Sequence, residues 1–162
     1  MANYNSYYRT NYFKVSDPKA FKDAFRRVSA EDVELWDEGN GVFGFGGFGS
    51  IDGLIMPNTV YGTWRSPCSG EIYGMANEVI DYEDYDYDDL DYDAFLKMLQ
   101  DHLVEGDAVI LTEVGYEKLR YLTGYATVVT KDKISFMNLT DLAFKEAKEM
   151  LGNKDWTTKM EY

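Results

Sequence analysis

Between Glu78 and Asp93 the chain sets nine acidic residues among sixteen, with no basic residue and with tyrosines at 82, 85, 87 and 92. So dense a charge belongs at a surface, and patterned, apolar-rich segments precede and follow it. The run is therefore expected to be tethered at both ends between folded parts, not to trail as an acidic tail. It carries −9 of the formal net charge of −13, which leaves −4 for all other residues together. Charge concentrated in this way makes a local field that selects cations, basic peptides or the basic groove of a nucleic-acid-binding protein.

A chain of 162 residues is most simply one domain, 1–162, large enough to bury a core. Its hydrophobic content of 45 % and aromatic content of 16 % exclude general disorder. A sequence pI near 4.4 argues against direct binding to nucleic acid and to anionic membranes, since phosphates would be repelled. The single cysteine, Cys68, cannot form an internal disulfide and fits a reducing cytoplasm. Residues Met1 to Phe13 contain no apolar run of the secretory kind, and no stretch approaches the ~18 apolar residues of a membrane span.

Tyr7 to Val15 read as a strand. Ser16-Asp17-Pro18 starts a helix, with Asp17 as cap and Pro18 in the first position. Phe21, Ala24, Phe25 and Val28 follow at helical spacing. Val33–Trp36 and Val42–Ile51 read as strands around a turn at Glu38-Gly39-Asn40-Gly41. Residues 52–93 read as an irregular connection that ends in the acidic run. A second helix is predicted over Ala94–Val104, with Asp91 to Asp93 at its N-terminus and Phe95, Met98, Leu99, His102 and Leu103 on its apolar face. Ala108–Glu113 and Leu119–Thr130 read as a hairpin turning at Gly115–Lys118. Lys131-Asp132-Lys133 makes a turn and Ile134–Met137 a strand. A third helix runs from Leu139 to Leu151, opened by Asn138 or Thr140 and closed by Gly152.

The predicted class is α+β: mainly antiparallel sheet with about three helices. Gly47-Phe48-Gly49-Ser50-Ile51 matches Gly124-Tyr125-Ala126-Thr127-Val128 class by class. That match admits a duplicated α-β-β unit. The alternative is that any two helix–hairpin pairs look this similar.

If the acidic run is extended, residues two apart share a face at a pitch of ~6.6 Å. Asp84, Asp86 and Asp88 then lie on one face, and Tyr85 and Tyr87 on the other. Asp89, Asp91 and Asp93 repeat the pattern, shifted by one residue. Such a file imitates a phosphate backbone, whose charges advance about 3.4 Å per nucleotide. The expected partner-binding residues are Asp81, Glu83, Asp84, Tyr85, Asp86, Tyr87, Asp88, Asp89 and Asp91, with a solvated acidic loop as the plain alternative. No EF-hand fits: a loop from Asp84 would need Gly and Glu where Asp89 and Phe95 stand. No defined metal site, cofactor site or catalytic residue is expected.

Gly44-Phe45-Gly46-Gly47-Phe48-Gly49-Ser50 lacks the lysine and the following helix of a phosphate loop. Its glycines suit a strand against which another backbone or a helix passes closely. His102 reads as a packed or boundary histidine. A Cys68–His102 dyad is conceivable only because each residue is unique. Trp36, Trp64 and Trp156 either close the edges of the core or anchor an interface.

Four phrases carry a resemblance. They are Tyr8-Arg9-Thr10-Asn11-Tyr12-Phe13-Lys14-Val15; Phe43-Gly44-Phe45-Gly46 with Gly49-Ser50-Ile51; Glu117-Lys118-Leu119-Arg120-Tyr121 with Gly124-Tyr125-Ala126; and Asp155-Trp156-Thr157-Thr158-Lys159-Met160. With them the chain resembles small uncharacterised cargo proteins of conjugative elements and phages of Gram-positive bacteria. The resemblance implies an inhibitor of host defence, anti-restriction or anti-CRISPR, and some such inhibitors look like DNA mimics. It implies no catalytic residue. The expected function is a non-enzymatic acidic inhibitor of a nuclease or CRISPR effector. One alternative is a structural or accessory module of a mobile element that recognises a basic protein and is compatible with a homodimer. The other is a small enzyme using Cys68 or a carboxylate cluster.

Overall fold

The computed structural model describes residues 5–55, 63–65, 72–74, 90–117 and 121–158. The first predicted strand divides into β1 (Asn5–Thr10) and β2 (Phe13–Lys14). Asn11 breaks it: its side chain donates to the Ala108 carbonyl at 2.9 Å and accepts from the Ile110 amide at 2.7 Å, standing in for a strand backbone. Asp17 then caps α1 (Pro18–Phe25), accepting from the Lys19 and Ala20 amides at 3.0 Å. Phe21 and Phe25 are its buried residues. Val28, expected on the same helix, instead opens β3 (Val28–Ala30), yet it is fully buried in the same core.

β4 (Glu34–Gly39) and β5 (Val42–Phe48) form the expected hairpin. Its turn has positive φ at Gly39, Asn40 and Gly41. The return strand is shorter than expected. Gly49, at φ 84°, turns the chain out of β5 into β6 (Ile51–Ile55), which belongs to another sheet.

The connection expected to be irregular over 52–93 thus begins inside a strand. It also holds β7 (Thr63–Arg65) paired with β8 (Ile72–Gly74), and ends in β9 (Leu90–Asp91). These strands run only two to five residues, and β6 buries Ile51, Leu54 and Ile55 around Gly53, so no period shows.

α2 (Tyr92–His102) starts two residues earlier than predicted, capped by Asp91, which accepts from the Ala94 amide at 2.8 Å. It buries Leu96 besides Phe95, Met98 and Leu99. Lys131 closes its far end, donating to the carbonyls of Asp101 and Leu103 at 2.9 and 3.1 Å, where the helix dipole favours a cation. β10 (Ala108–Glu117) and β11 (Tyr121–Thr130) pair over their whole lengths. Gly115–Glu117, predicted as turn, are therefore strand residues, with Gly115 opposite Thr123. β12 (Ile134–Asn138) follows. Asn138 caps α3 (Leu139–Leu151), and Gly152 ends it in the left-handed conformation.

The class is α+β and the pairing antiparallel, with three helices among the described residues. The large sheet runs β12-β11-β10-β1-β5-β2, with β4 on the other edge of β5. The small sheet runs β3-β6-β9. A duplicated α-β-β unit does not emerge. Gly47–Ile51 spans the end of β5, a turn and β6, whereas Gly124–Val128 lies wholly within β11, so the matched segments hold different positions.

The core is built on phenylalanine. Phe45 meets Phe13, Phe25 and Phe95 at ring-centroid distances of 6.1, 5.1 and 6.1 Å, and Phe21 meets Phe13, Phe25 and Phe43 at 5.7, 5.7 and 5.1 Å. These edge-on and tilted geometries suit the ring quadrupoles.

On the opposite face of β5, Gly44 and Gly46 make a floor for Trp36. A Cβ on Gly46 would lie 2.9 Å from the Trp36 ring and 2.7 Å from the Tyr8 carbonyl. Gly47 is more confined still, because a Cβ there would overlap the Asp32 carbonyl, which accepts from the Tyr8 hydroxyl. The close backbone approach expected of this strand is present.

Gly47→Ala should therefore destabilise by about 3 kcal/mol or more, and Gly44→Ala, which meets only ring edges at 3.1 Å and beyond, by about 1 kcal/mol. Urea titration of both variants checks the order; equal losses would refute this account of the strand.

Candidate functional site

The acidic run meets the fold at two points. Ile55, the last residue of β6, pairs with Leu90, the first of β9. Arg27 fixes the same place: its Nε and Nη2 donate to the Ile55 carbonyl at 3.0 and 2.9 Å, and its own carbonyl accepts from the Ile55 amide at 2.8 Å. The chain therefore leaves and re-enters the core side by side.

Of the expected partner-binding residues, Asp81, Glu83, Asp84, Tyr85, Asp86, Tyr87, Asp88 and Asp89 lie outside the described residues. Asp91 lies inside them. Its carboxylate holds the first turn of α2 while its backbone pairs with Leu54. That structural duty sets Asp91 apart from the rest of the run.

Cys68 and the side chain of Trp64 also fall outside the described residues. His102 sets its ring 5.8 Å from that of Phe21, as a boundary histidine does. Trp36 is half-buried, with the Arg9 guanidinium 5.0 Å over its ring, and Trp156 rests 5.9 Å from Phe144.

Sequence reading missed a second group of residues. On the inner face of β10, Val109 and Leu111 are fully buried, and the next inward position is Glu113. The cross-strand register lines Glu113 up with Tyr125 on β11 and Tyr125 with Asn138 on β12. Thr127 pairs with Phe136 in the adjacent row. With Tyr92 of α2 and Asp141 in the first turn of α3, these residues line an open groove of about 560 Å³. A carboxylate where the alternation of β10 calls for an apolar residue is the signal that could have revealed it.

Burial raises the pKa of Glu113 above the ordinary glutamate value. Tyr92 is pushed up to about 12, first by burial and then by the charge of Glu113, against a side-chain hydrogen bond with Thr127. The Glu113 carboxylate has no hydrogen-bond or ion-pair partner among the described residues.

The outer face of the large sheet has a different character. Tyr7, Ile110, Val114, Tyr116 and Leu122 are all at least 43 % exposed there. The register puts Tyr7 beside Val114 and Tyr116 beside Leu122. Among the described residues, the outward positions of β1, β10, β11 and β12 hold one charge, Arg9, and no carboxylate.

Compared with protein-family models, curated proteins and solved structures, the chain matches none.

The Glu113 shift has a definite sign. The folded protein holds this proton more tightly than the unfolded chain, so folding loses stability as pH rises from the ordinary glutamate range through the raised value. The ionisable groups beside it are Tyr8 across the strand pair with β1, and Tyr92, Tyr125 and Asp141 around the groove. The melting temperature of the wild type, taken relative to Glu113→Gln, should fall as pH rises above the ordinary glutamate range of about 4. Parallel curves above that range would mean that Glu113 is not desolvated.

Proposed function

We propose that the protein is a non-enzymatic inhibitor that occupies the nucleic-acid groove of a basic partner through the segment from Asp81 to Asp89. The concentration of charge carries this reading: the run from Glu78 to Asp93 holds −9 of −13. Support comes from the pairing of Ile55 with Leu90, which closes the connection 56–89 that contains this segment. Holding both ends reduces the ordering entropy that a free tail would lose on binding. The tyrosines between the carboxylates offer contact area at low entropic cost. The resemblance to cargo proteins of mobile elements directs attention to a restriction nuclease or CRISPR effector as the partner, met in the cytoplasm. No helix among the described residues is long and apolar enough to cross a membrane.

The test is replacement of Asp84, Asp86, Asp88 and Asp89 by asparagine, with Asp91 kept so that the cap of α2 stays intact. In a nuclease-inhibition assay the variant should lose at least about tenfold in potency, and the wild type should weaken as salt rises from about 0.05 to about 0.5 M. An unchanged variant would refute the decoy.

The outward positions of β1, β10, β11 and β12, which hold no carboxylate, favour a second reading, an accessory module that pairs with its own copy. Two chains of −13 repel, and a patch without carboxylates lets them approach with least repulsion. Light scattering would then give twice the chain mass for the wild type and a single chain mass for Val114→Glu. A wild-type monomer would end this reading.

A further inference from the structure

The groove beside Glu113 answers to a different ligand chemistry from the one expected of the segment from Asp81 to Asp89. Three aromatic residues, Tyr92, Tyr125 and Phe136, stand around one half-buried carboxylate, with a second carboxylate, Asp141, at the rim. The volume of about 560 Å³ exceeds what a few water molecules fill and falls within the range of small-ligand sites. Phe136 is 65 % exposed and Tyr125 45 %, so both rings are available to an incoming group.

A half-buried carboxylate without a partner among the described residues is a site where an arriving cation recovers interaction lost to desolvation. Aromatic faces around it favour a cation with an apolar or delocalised body over a small, strongly hydrated ion. Guanidinium meets both demands: it is planar, weakly hydrated, stacks on rings and forms paired hydrogen bonds to a carboxylate. Ammonium lacks the planar fork, and a divalent metal would need more oxygen ligands than Glu113 and Asp141 supply.

We propose that this groove binds an arginine-type side chain, its guanidinium between the Tyr125 and Phe136 rings and on the Glu113 carboxylate. Asp141 adds a second negative charge at the mouth. Tyr92 and Thr127 line the inner wall and set how deeply the group enters. The site does not depend on the acidic run acting as a decoy.

The test is a titration of the whole protein with Nα-acetyl-arginine amide, followed by amide chemical shifts. Nα-acetyl-citrulline amide serves as the neutral isostere. Saturable shifts at residues 125–127 and 136–141 are expected, with the citrulline probe at least about tenfold weaker. Glu113→Gln should weaken the arginine probe to a similar degree. Phe136→Ala alters an exposed ring and leaves the core intact; it should weaken binding about threefold or more. The variant with asparagine at 84, 86, 88 and 89 should bind as the wild type does. Uncapped arginine in a parallel arm separates the two sources of the group. Tighter binding of the capped form points to a protein-borne side chain, and tighter binding of the free form to the amino acid itself. Equal binding of the citrulline probe, no loss in Glu113→Gln and Phe136→Ala, or shifts abolished by neutralising the run would each overturn the proposal.

Discussion

The fold depends on how β5 is used on both sides at once. Its Phe43 and Phe45 rings are fully buried among Phe13, Phe21, Phe25 and Phe95, so α1 and α2 meet around a single strand. On the other face, Gly44 and Gly46 let Trp36 lie flat on the sheet beneath the Arg9 guanidinium. Large rings inward need space that helices give; small residues outward let the backbone of β1 and the ring of β4 come close. Each aromatic side chain removes a large apolar area from water, and the edge-on contacts add to that burial. With Phe45 at the centre, β1, β2 and β4 attach to this strand by backbone pairing, and β10, β11 and β12 follow through β1.

What the sequence made legible was chiefly what is local. Asp17-Pro18, Asn138 and Gly152 mark helix ends because a cap is settled within four residues. The hairpin turn at Gly39–Gly41 was readable for the same reason. What could not be read depends on partners far along the chain. Asn11 interrupts its strand by bonding to Ala108 and Ile110, nearly a hundred residues away. Gly115 looked like a turn residue, but pairing with Thr123 makes it a strand residue. The small sheet joins strands of three, five and two residues, too short to show a period.

The candidate sites divide along the same line. The acidic run announces itself through composition, which needs no fold to be seen. The groove at Glu113 does not, since its residues come from α2, β10, β11, β12 and α3 and meet only through register. Its one sequence-level trace is Glu113 after Val109 and Leu111 on the inward alternation of β10. Asp91 shows how the two levels collide: by composition it belongs to the run, and by geometry to the start of α2.

The pairing of Ile55 with Leu90 has a consequence for how the chain can change over time. Bringing two ends together loses entropy only as the logarithm of the length between them, so doubling that length costs only about 0.6 kcal/mol. On that term alone, the length of the connection between Ile55 and Leu90 weighs little on closure, provided that Ile55, Leu90 and the Arg27 clamp are kept. The joint between β6 and β9 thus sets a core that tolerates little against a connection whose length closure scarcely limits.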